Sequence, residues 1–291
     1  MLAEYASQML PELAEEGAAI LDTLETGFRA CGHKVYTPSY RGTDQDEFRK
    51  HIVRTAQMCD AGIVVAPDYL LYDLTVLVEA HTKNLGCPAS AVRKAADKLS
   101  SSLLLSDASL AVPEIDPATG PYVLKPRHGC GSEGVRITHS VDKDQLADDV
   151  FISKFISGEH ISVSLVIGKS VLPLSINKQL VRINKSIRYV GNVTPHQVNN
   201  SDAVILQASK AAELLGCKGY VGVDIVLQAD GTASIVDVNA RPTTAIVSIN
   251  RVIGNVAEFI LKARFGQELP AFVRPTGTHT FLKRTASEKP Y

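Results

Sequence analysis

Asp224 and Asp237 sit on two β-type runs, Val221 to Gln228 and Thr232 to Val238, that meet at Asp230-Gly231. Asp-Gly between such runs is a strong signal for a tight hairpin. A two-residue loop at 230–231 would set Ala229 against Thr232, Leu227 against Ser234 and Asp224 against Asp237. Side chains alternate along a strand, so Val226 and Ile235 are expected on the face of the two carboxylates, with Asn239 beside them. Facing side chains lie about 4.5–5.5 Å apart at Cβ, where like charges repel. A divalent cation resolves that conflict, and carboxylate plus amide oxygens suit Mg²⁺ or Mn²⁺. The alternative is a solvated strand face, or one acid carrying a proton. The facing register, Asn239 and the following Arg241 favour the cation; one bulge would spoil that register.

A second group of residues suits phosphate. His128-Gly129-Cys130-Gly131-Ser132-Glu133-Gly134 places three glycines between two β-type segments. Glycines let backbone N–H groups close over phosphate oxygens, although turns use glycine for positive φ just as often. The loop does not match the P-loop pattern. Lys125, in an otherwise apolar strand, should pair with an anion or snorkel to one. The alternative for Lys125 is an exposed strand position. Lys98 follows Asp97 at a helix start, where most lysines are solvated. Cys130 has no neighbouring His or Asp to activate it.

These residues need elements to carry them. Residues 11–31 read as a helix, with Ile20, Leu24 and Phe28 at a four-residue step and Gly32 after them. Strands are expected at 34–37 and 63–66, the second an apolar run of the buried parallel kind. Helices are expected over 45–58 and 72–84, and a short opening strand at 1–6. This alternation argues for a small parallel α/β layer. Asp97 can cap a helix through Leu105. Strands at 122–125 and 135–137 flank the glycine loop, followed by a helix over 142–149. Further strands are expected at 150–155, 161–167, 170–176 and 187–190. Then come a helix at 202–215, the hairpin, and one helix over 245–264.

The 291 residues suit two or three small domains sharing a site. A formal net charge of -1 supplies no global attraction to nucleic acid or anionic lipid. Trp is absent and aromatics are few, which argues against a base-stacking platform. No apolar run approaches the roughly 18–20 residues of a membrane span, and the start lacks a signal-peptide pattern; a cytoplasmic protein is expected. The five cysteines are scattered and form no C-x-x-C pair, so neither a disulfide framework nor a zinc site follows.

Taken in order, Asp97-Lys98, Tyr122-Val123-Leu124-Lys125-Pro126, the loop 128–134, Lys154-Phe155-Ile156-Ser157-Gly158, Gly222-Val223-Asp224 and Asp237-Val238-Asn239-Ala240-Arg241-Pro242 resemble the ATP-grasp ligases. Ser175 to Gln179, Tyr189-Val190-Gly191 with Pro195, and Asn239 to Thr244 resemble the archaeal carboxylate–amine ligases, nearest the tyramine–glutamate ligase family of methanofuran biosynthesis. The resemblance implies an α/β chain: a Rossmann-like domain (1–86), then a small ATP-grasp subdomain with the glycine loop (87–152) and a C-terminal one with the hairpin (153–291). It implies ATP and Mg²⁺ or Mn²⁺. Lys98 and Lys125 would contact phosphates, and Gly129, Gly131, Ser132 and Gly134 would fold over them. Ser153, Lys154, Phe155 and Ile156 would line the adenine edge, although Ser153 and Lys154 stand where Gln-Glu is common. Glu159 or His160 would reach the ribose. Asp224, Asp237 and Asn239 would bind the metal; the second place commonly holds Glu. Arg241, with Lys125, would be catalytic, stabilising an acyl phosphate on the way to an amide. Arg182, Lys185, Arg188 and His196 could hold an acidic substrate, or form an exposed basic stretch. The implied partners are a small carboxylate and a small amine, with a homodimer as the implied assembly. A small-molecule kinase and a nucleotide-binding regulator without turnover are the alternative readings.

Overall fold

The computed structural model describes residues 1–38, 44–129, 134–142 and 145–283. It opens with β1 (Leu2–Glu4), α1 (Ala6–Met9), α2 (Ala14–Ala30), α3 (Gln45–Ala56), β2 (Ala61–Val65), α4 (Asp68–His81) and β3 (Lys83–Asn84). The three strands form a parallel sheet in the order β1-β2-β3. Residues 34–37 do not form the expected strand. Pro38, which follows them, has no N–H to extend a ladder, and one bond, Leu2 N–H to the Tyr36 carbonyl, ties them to the sheet. The third strand is instead Lys83–Asn84, expected as the end of a helix. That helix, α4, begins four residues earlier than its periodicity suggests, directly after Pro67.

Next come α5 (Ala89–Ala96), α6 (Lys98–Asp107), β4 (Tyr122–Pro126), β5 (Arg136–Thr138) and β6 (Val150–Lys154). The three strands make an antiparallel sheet in the order β5-β4-β6. Asp97 caps α6, its carboxylate accepting from the Ser100 amide. The helix expected over 142–149 is not found: among its described residues, 145–149 form turns. The stretch offers Leu146 as its one large apolar side chain, so a helix there would have no face to bury.

The remaining strands, β7 (Glu159–Ile167), β8 (Val171–Ile183), β9 (Ile187–Thr194), β10 (Gly219–Leu227), β11 (Ala233–Asn239) and β12 (His279–Leu282), form one antiparallel sheet ordered β11-β10-β7-β8-β9-β12. Helix α7 (Ser201–Leu214) covers one face. Ile161, Val163, Leu165, Val221, Val223 and Ile225 bury there against Ala208, Ala211 and Leu215. Each such aliphatic contributes roughly 1.5–3 kcal/mol, which pins the register and forces the alternate residues onto the other face. On that face Val166, Leu172, Leu174 and Tyr220 pack against α8 (Ala245–Ile253), α9 (Val256–Arg264) and α2. His160, Ser162, Gln179 and Asp224 lie further along it and line an open cleft. The single helix expected over 245–264 is two. Gly254, at φ +88°, ends the first, and Asn255 caps the second by accepting from the Ala257 amide.

The hairpin corrects the expected register in an instructive way. Its loop has three residues, not two: Gln228 N–H bonds the Thr232 carbonyl, and Gly231, at φ +88°, closes a turn onto Gln228. Leu227 therefore faces Ala233, and Val226 faces Ser234. A bulge at Val236 then restores the missing residue, so Asp224 faces Asp237 after all. The two departures cancel at the carboxylates but not before them. Ile235 falls on the buried face opposite Ile225, and Val236 takes its place in the cleft.

Candidate active site

The cleft lies where the three sheets meet. The N-terminal layer contributes Glu4, Glu16 and Pro67, from the carboxyl ends of β1 and β2 and from α2. The small sheet contributes Val123, Lys125 and Ser153, and the large sheet His160, Gln179, Asp224, Asp237 and Asn239.

The large-sheet wall is already internally bonded. Asp224 accepts from the Gln179 amide at 2.9 Å and from the Asn239 amide at 3.1 Å. Burial and the facing Asp237 push its carboxyl up to about 7, against the pull of Lys98, Asn239 and Arg241. Asp237 Oδ1 accepts from the Val238 amide, and its Oδ2 holds the Lys98 ammonium at 2.5 Å. Burial alone would push Lys98 down, but Asp237 and Asp68 outweigh it and hold the ammonium above the ordinary lysine range. The two facing aspartates thus demand positive charge, and Lys98 supplies it. Among the described residues no group of three His, Cys, Asp or Glu side chains could hold a metal. Two carboxylates and the Asn239 carbonyl fit a hard divalent ion that keeps its other positions for water and phosphate.

The small-sheet wall is different. Lys125 and Ser153 point from β4 and β6 into the cleft, and Lys125 has no carboxylate at ion-pair distance among the described residues. Its ammonium lies 5.9 Å from the Phe151 ring centre. Burial, aided by nearby Lys98, brings it down to about 8 despite Asp237 and Asp224. Ser153 is 3% exposed and its Oγ has no hydrogen-bond partner among the described residues. Lys154 turns its ammonium to the Thr119 and Gly120 carbonyls, and the Phe155 amide bonds Pro121. Phe155, Ile156 and Gly129 line the cleft. Gly134 has φ +71°, and a Cβ there would strike Pro126. Gly131 and Ser132, with Cys130, lie outside the described residues.

Of the two ribose candidates, His160 faces the cleft, where burial and Lys125 depress its ring pKa. Glu159 points to the other side and pairs with Lys178 at 2.9 Å; His196 Nε2 lies 3.0 Å from the same oxygen. The residues suggested for the acidic substrate are not brought to the cleft. Arg182 and Arg188 face each other across β8 and β9 on the exposed side, while Val181, Ile187 and Tyr189 line the cleft on the other. Strand alternation decides this. Lys185 is exposed at the hairpin end, and His196 lies beside Glu159 away from the cleft, its Nε2 making no hydrogen bond among the described residues.

Arg241 lines the cleft, its Nε 3.4 Å from Asp68 Oδ1. Asp68 is 8% exposed, opens α4, and also lies 3.4 Å from the Lys98 ammonium. Sequence reasoning missed Asp68 and Gln179. The signal for Asp68 was its place just past the carboxyl end of an apolar parallel strand, where open α/β sheets bind ligands. The signal for Gln179 was its place in the segment Ser175 to Gln179, which carries part of the family resemblance. Beneath this wall runs a buried polar ladder. Asn177 donates to Ser162 and Ser164 and accepts from Thr194, and the Tyr220 hydroxyl bonds Ser164. Among the described residues no helix is long and apolar enough to cross a membrane.

This architecture, a parallel α/β layer followed by two antiparallel sheets closing on one cleft, belongs to a known class. The family profile of the ATP-grasp domain matches residues 95–245. An ATP-grasp superfamily protein from Archaeoglobus fulgidus superposes with a TM-score of 0.80 at 29% identity, over 100% of this chain and 94% of that one. An L-amino acid ligase from Bacillus licheniformis shares the fold, with a TM-score of 0.72 at 18% identity, over 96% and 78%. The chain belongs to the ATP-grasp family. It is 34% identical over 215 residues to the tyramine–L-glutamate ligase of Methanocaldococcus jannaschii, covering 72% of this chain and 64% of that protein. It is 29% identical over 279 residues to the tyramine–L-glutamate ligase of Methanocaldococcus fervens, covering 88% and 90%.

Proposed function

We propose that this chain is an ATP-dependent carboxylate–amine ligase. The observation that carries the reading is the meeting of Lys98, Lys125 and Arg241 with Asp224, Asp237 and Asn239 on one cleft. Its other end is built by the N-terminal layer, which leaves room for a second substrate. In this reading residues 1–86, 87–152 and 153–291 are the N-terminal domain and the two ATP-grasp subdomains.

Phosphoryl transfer leaves little covalent work to a protein; positioning and charge do most of it. Asp224, Asp237 and Asn239 would hold Mg²⁺ or Mn²⁺, which supplies Lewis-acid neutralisation of the polyphosphate. Lys125, without a carboxylate at ion-pair distance among the described residues, binds phosphate at the small-sheet wall. Lys98 contributes a second positive charge. The substrate carboxylate attacks the γ-phosphorus, ADP leaves, and Arg241 stabilises the charge on the acyl phosphate. The amine nitrogen then forms the C–N bond as the C–O bond to phosphate breaks. Phosphate departs with that electron pair and the nitrogen's excess proton.

The names of the two Methanocaldococcus relatives make tyramine and L-glutamate the first pair to test. Purified protein would be incubated with ATP, Mg²⁺, L-glutamate and tyramine, each omitted in turn. The expected result is ADP and phosphate release requiring both substrates, with an amide of the summed mass less water. Release with one hydroxyl-bearing substrate alone, and a phosphorylated product, would overturn the ligase reading.

A further inference from the structure

Three candidates outside the assigned site residues bear on the cleft: the Ser153 hydroxyl, the polar ladder under the large sheet, and Asp68. Asp68 carries the most. It belongs to the N-terminal layer, yet it touches one cation from each of the other two parts of the cleft: Lys98, 3.4 Å away at the start of α6, and Arg241, 3.4 Å away beyond the hairpin. All three side chains are nearly buried, at 9%, 11% and 14% exposure. In such surroundings a cation left without a carboxylate is costly.

Lys98 has two carboxylates competing for it. Asp237 holds it closely at 2.5 Å, and Asp68 loosely. The Asp237 oxygen that Lys98 occupies is the one free of a backbone bond, since the other accepts from the Val238 amide. A divalent cation arriving at Asp237 therefore competes with the ammonium for that oxygen. The oxygen has a lone pair for each, but two cations held so close in buried surroundings repel each other. Before any phosphate is bound, an ammonium pushed aside needs a buried carboxylate to receive it, and Asp68 already stands at its other side.

We propose that Asp68 is a positioning residue: it receives Lys98 when a divalent cation takes Asp237, and it holds Arg241 aimed into the cleft meanwhile. This rests on the metal assignment made above. Lys98 is then an internal counter-cation that keeps the facing aspartates stable before the cation arrives. Asp68 lowers the cost of moving it. Because Asp68 comes from the N-terminal layer, that layer contributes to cation affinity although it supplies no metal ligand.

A double-mutant cycle tests this by direct Mn²⁺ binding, read from the electron paramagnetic resonance signal of free Mn²⁺ with no nucleotide present. Asp68→Asn should weaken Mn²⁺ binding about tenfold, the scale of coupling between contacting charges. In a Lys98→Met background, Asp68→Asn should change Mn²⁺ affinity less than about twofold, because nothing remains to be received. Asp68→Glu should recover part of the loss. An equal loss in both backgrounds would mean that Asp68 acts only as a charge through space, and the proposal fails. No loss in either background, with thermal unfolding showing both variants folded, would reduce Asp68 to a scaffold role. If the unmutated protein binds no Mn²⁺, the metal assignment itself falls, and the proposal with it.

Discussion

The two walls of the cleft treat their polar groups oppositely. On the large sheet each carboxylate is bonded before any ligand arrives: Asp224 by Gln179 and Asn239, Asp237 by Val238 and Lys98. On the small sheet the Ser153 hydroxyl is buried without a hydrogen-bonding partner, and the half-buried Lys125 ammonium has no ion pair, among the described residues. Buried polar groups left unpaired cost stability, so the small-sheet wall stores a deficit that a ligand can relieve. The large-sheet wall instead holds a fixed geometry, supported by the Asn177 ladder beneath it. One wall is prepared for precision and the other for capture.

The largest effect is expected at the large-sheet wall. Arg241→Met should lower kcat by about 10²–10³-fold with little change in the ATP requirement, because its charge acts on the reacting group. Steady-state kinetics with the substrates above would show this; a loss confined to KM for ATP would contradict it.

Lys125→Met should raise KM for ATP by about tenfold or more, the scale of a lost charged hydrogen bond. Thermal unfolding without nucleotide should be unchanged or higher, since the variant removes a desolvated charge. A lower melting temperature would show that Lys125 is satisfied in the free protein and would end the contrast between the walls. Its pH behaviour follows with a definite sign. The folded amine titrates at about 8, below its ordinary range. The unfolded chain binds the extra proton from pH 8 upward, so stability should rise with pH across that window. ATP affinity should fall over the same window as the charge is lost, and the Met variant should show neither change.

Asp224→Asn should abolish metal-dependent turnover while leaving the nucleotide-free protein as stable or more so, because it removes one of two facing charges. The unmutated carboxyl titrates at about 7, above its ordinary value. The native state therefore binds more protons than the unfolded chain between about pH 4 and 7. Stability of the nucleotide-free protein should fall as pH rises through that window, and the Asn variant should flatten the fall. Denaturant melts at several pH values would check it.

Asp97→Asn should lower the melting temperature slightly, through the ion pair to Arg127 and not the helix cap, because Asn caps a helix about as well as Asp. Against burial, which raises it, Arg127 and Ser100 hold the Asp97 carboxyl at about 2. Its contribution is present above the ordinary range and is lost as pH falls through 2. The smallest effect is expected from Arg182→Ala with Arg188→Ala, both exposed and turned from the cleft. Substrate KM values should stay within about twofold; a larger rise would restore them as substrate residues.

The order of chemistry-bearing segments was legible along the chain, from the Asp97 cap to Arg241. So were most elements with strong periodicity, such as α2, α3, α7 and the apolar runs of β2 and β10. What failed did so where local pattern lacks the deciding information. The 142–149 stretch has Leu146 as its one large apolar side chain, too little to bury a helix face. The 245–264 periodicity runs through Gly254, where positive φ breaks it. Arg182 and Arg188 have the right charge for an acidic substrate, but a bulge in β9 and strand alternation point them away.

The hairpin holds both lessons. Its residues alone determined that two aspartates, an asparagine and an arginine would cluster near an Asp-Gly turn. The sequence did not reveal that a three-residue loop and a bulge at Val236 would offset each other, nor that Ile235 would turn to the core. Those choices were made by burial of Val221, Val223 and Ile225 against α7, which tolerates only one register. Asp68, Gln179 and Lys98 reached the aspartates only because three distant segments pack around one cleft. Such a meeting is set by tertiary packing, since no local pattern encodes distance between residues so far apart in the chain.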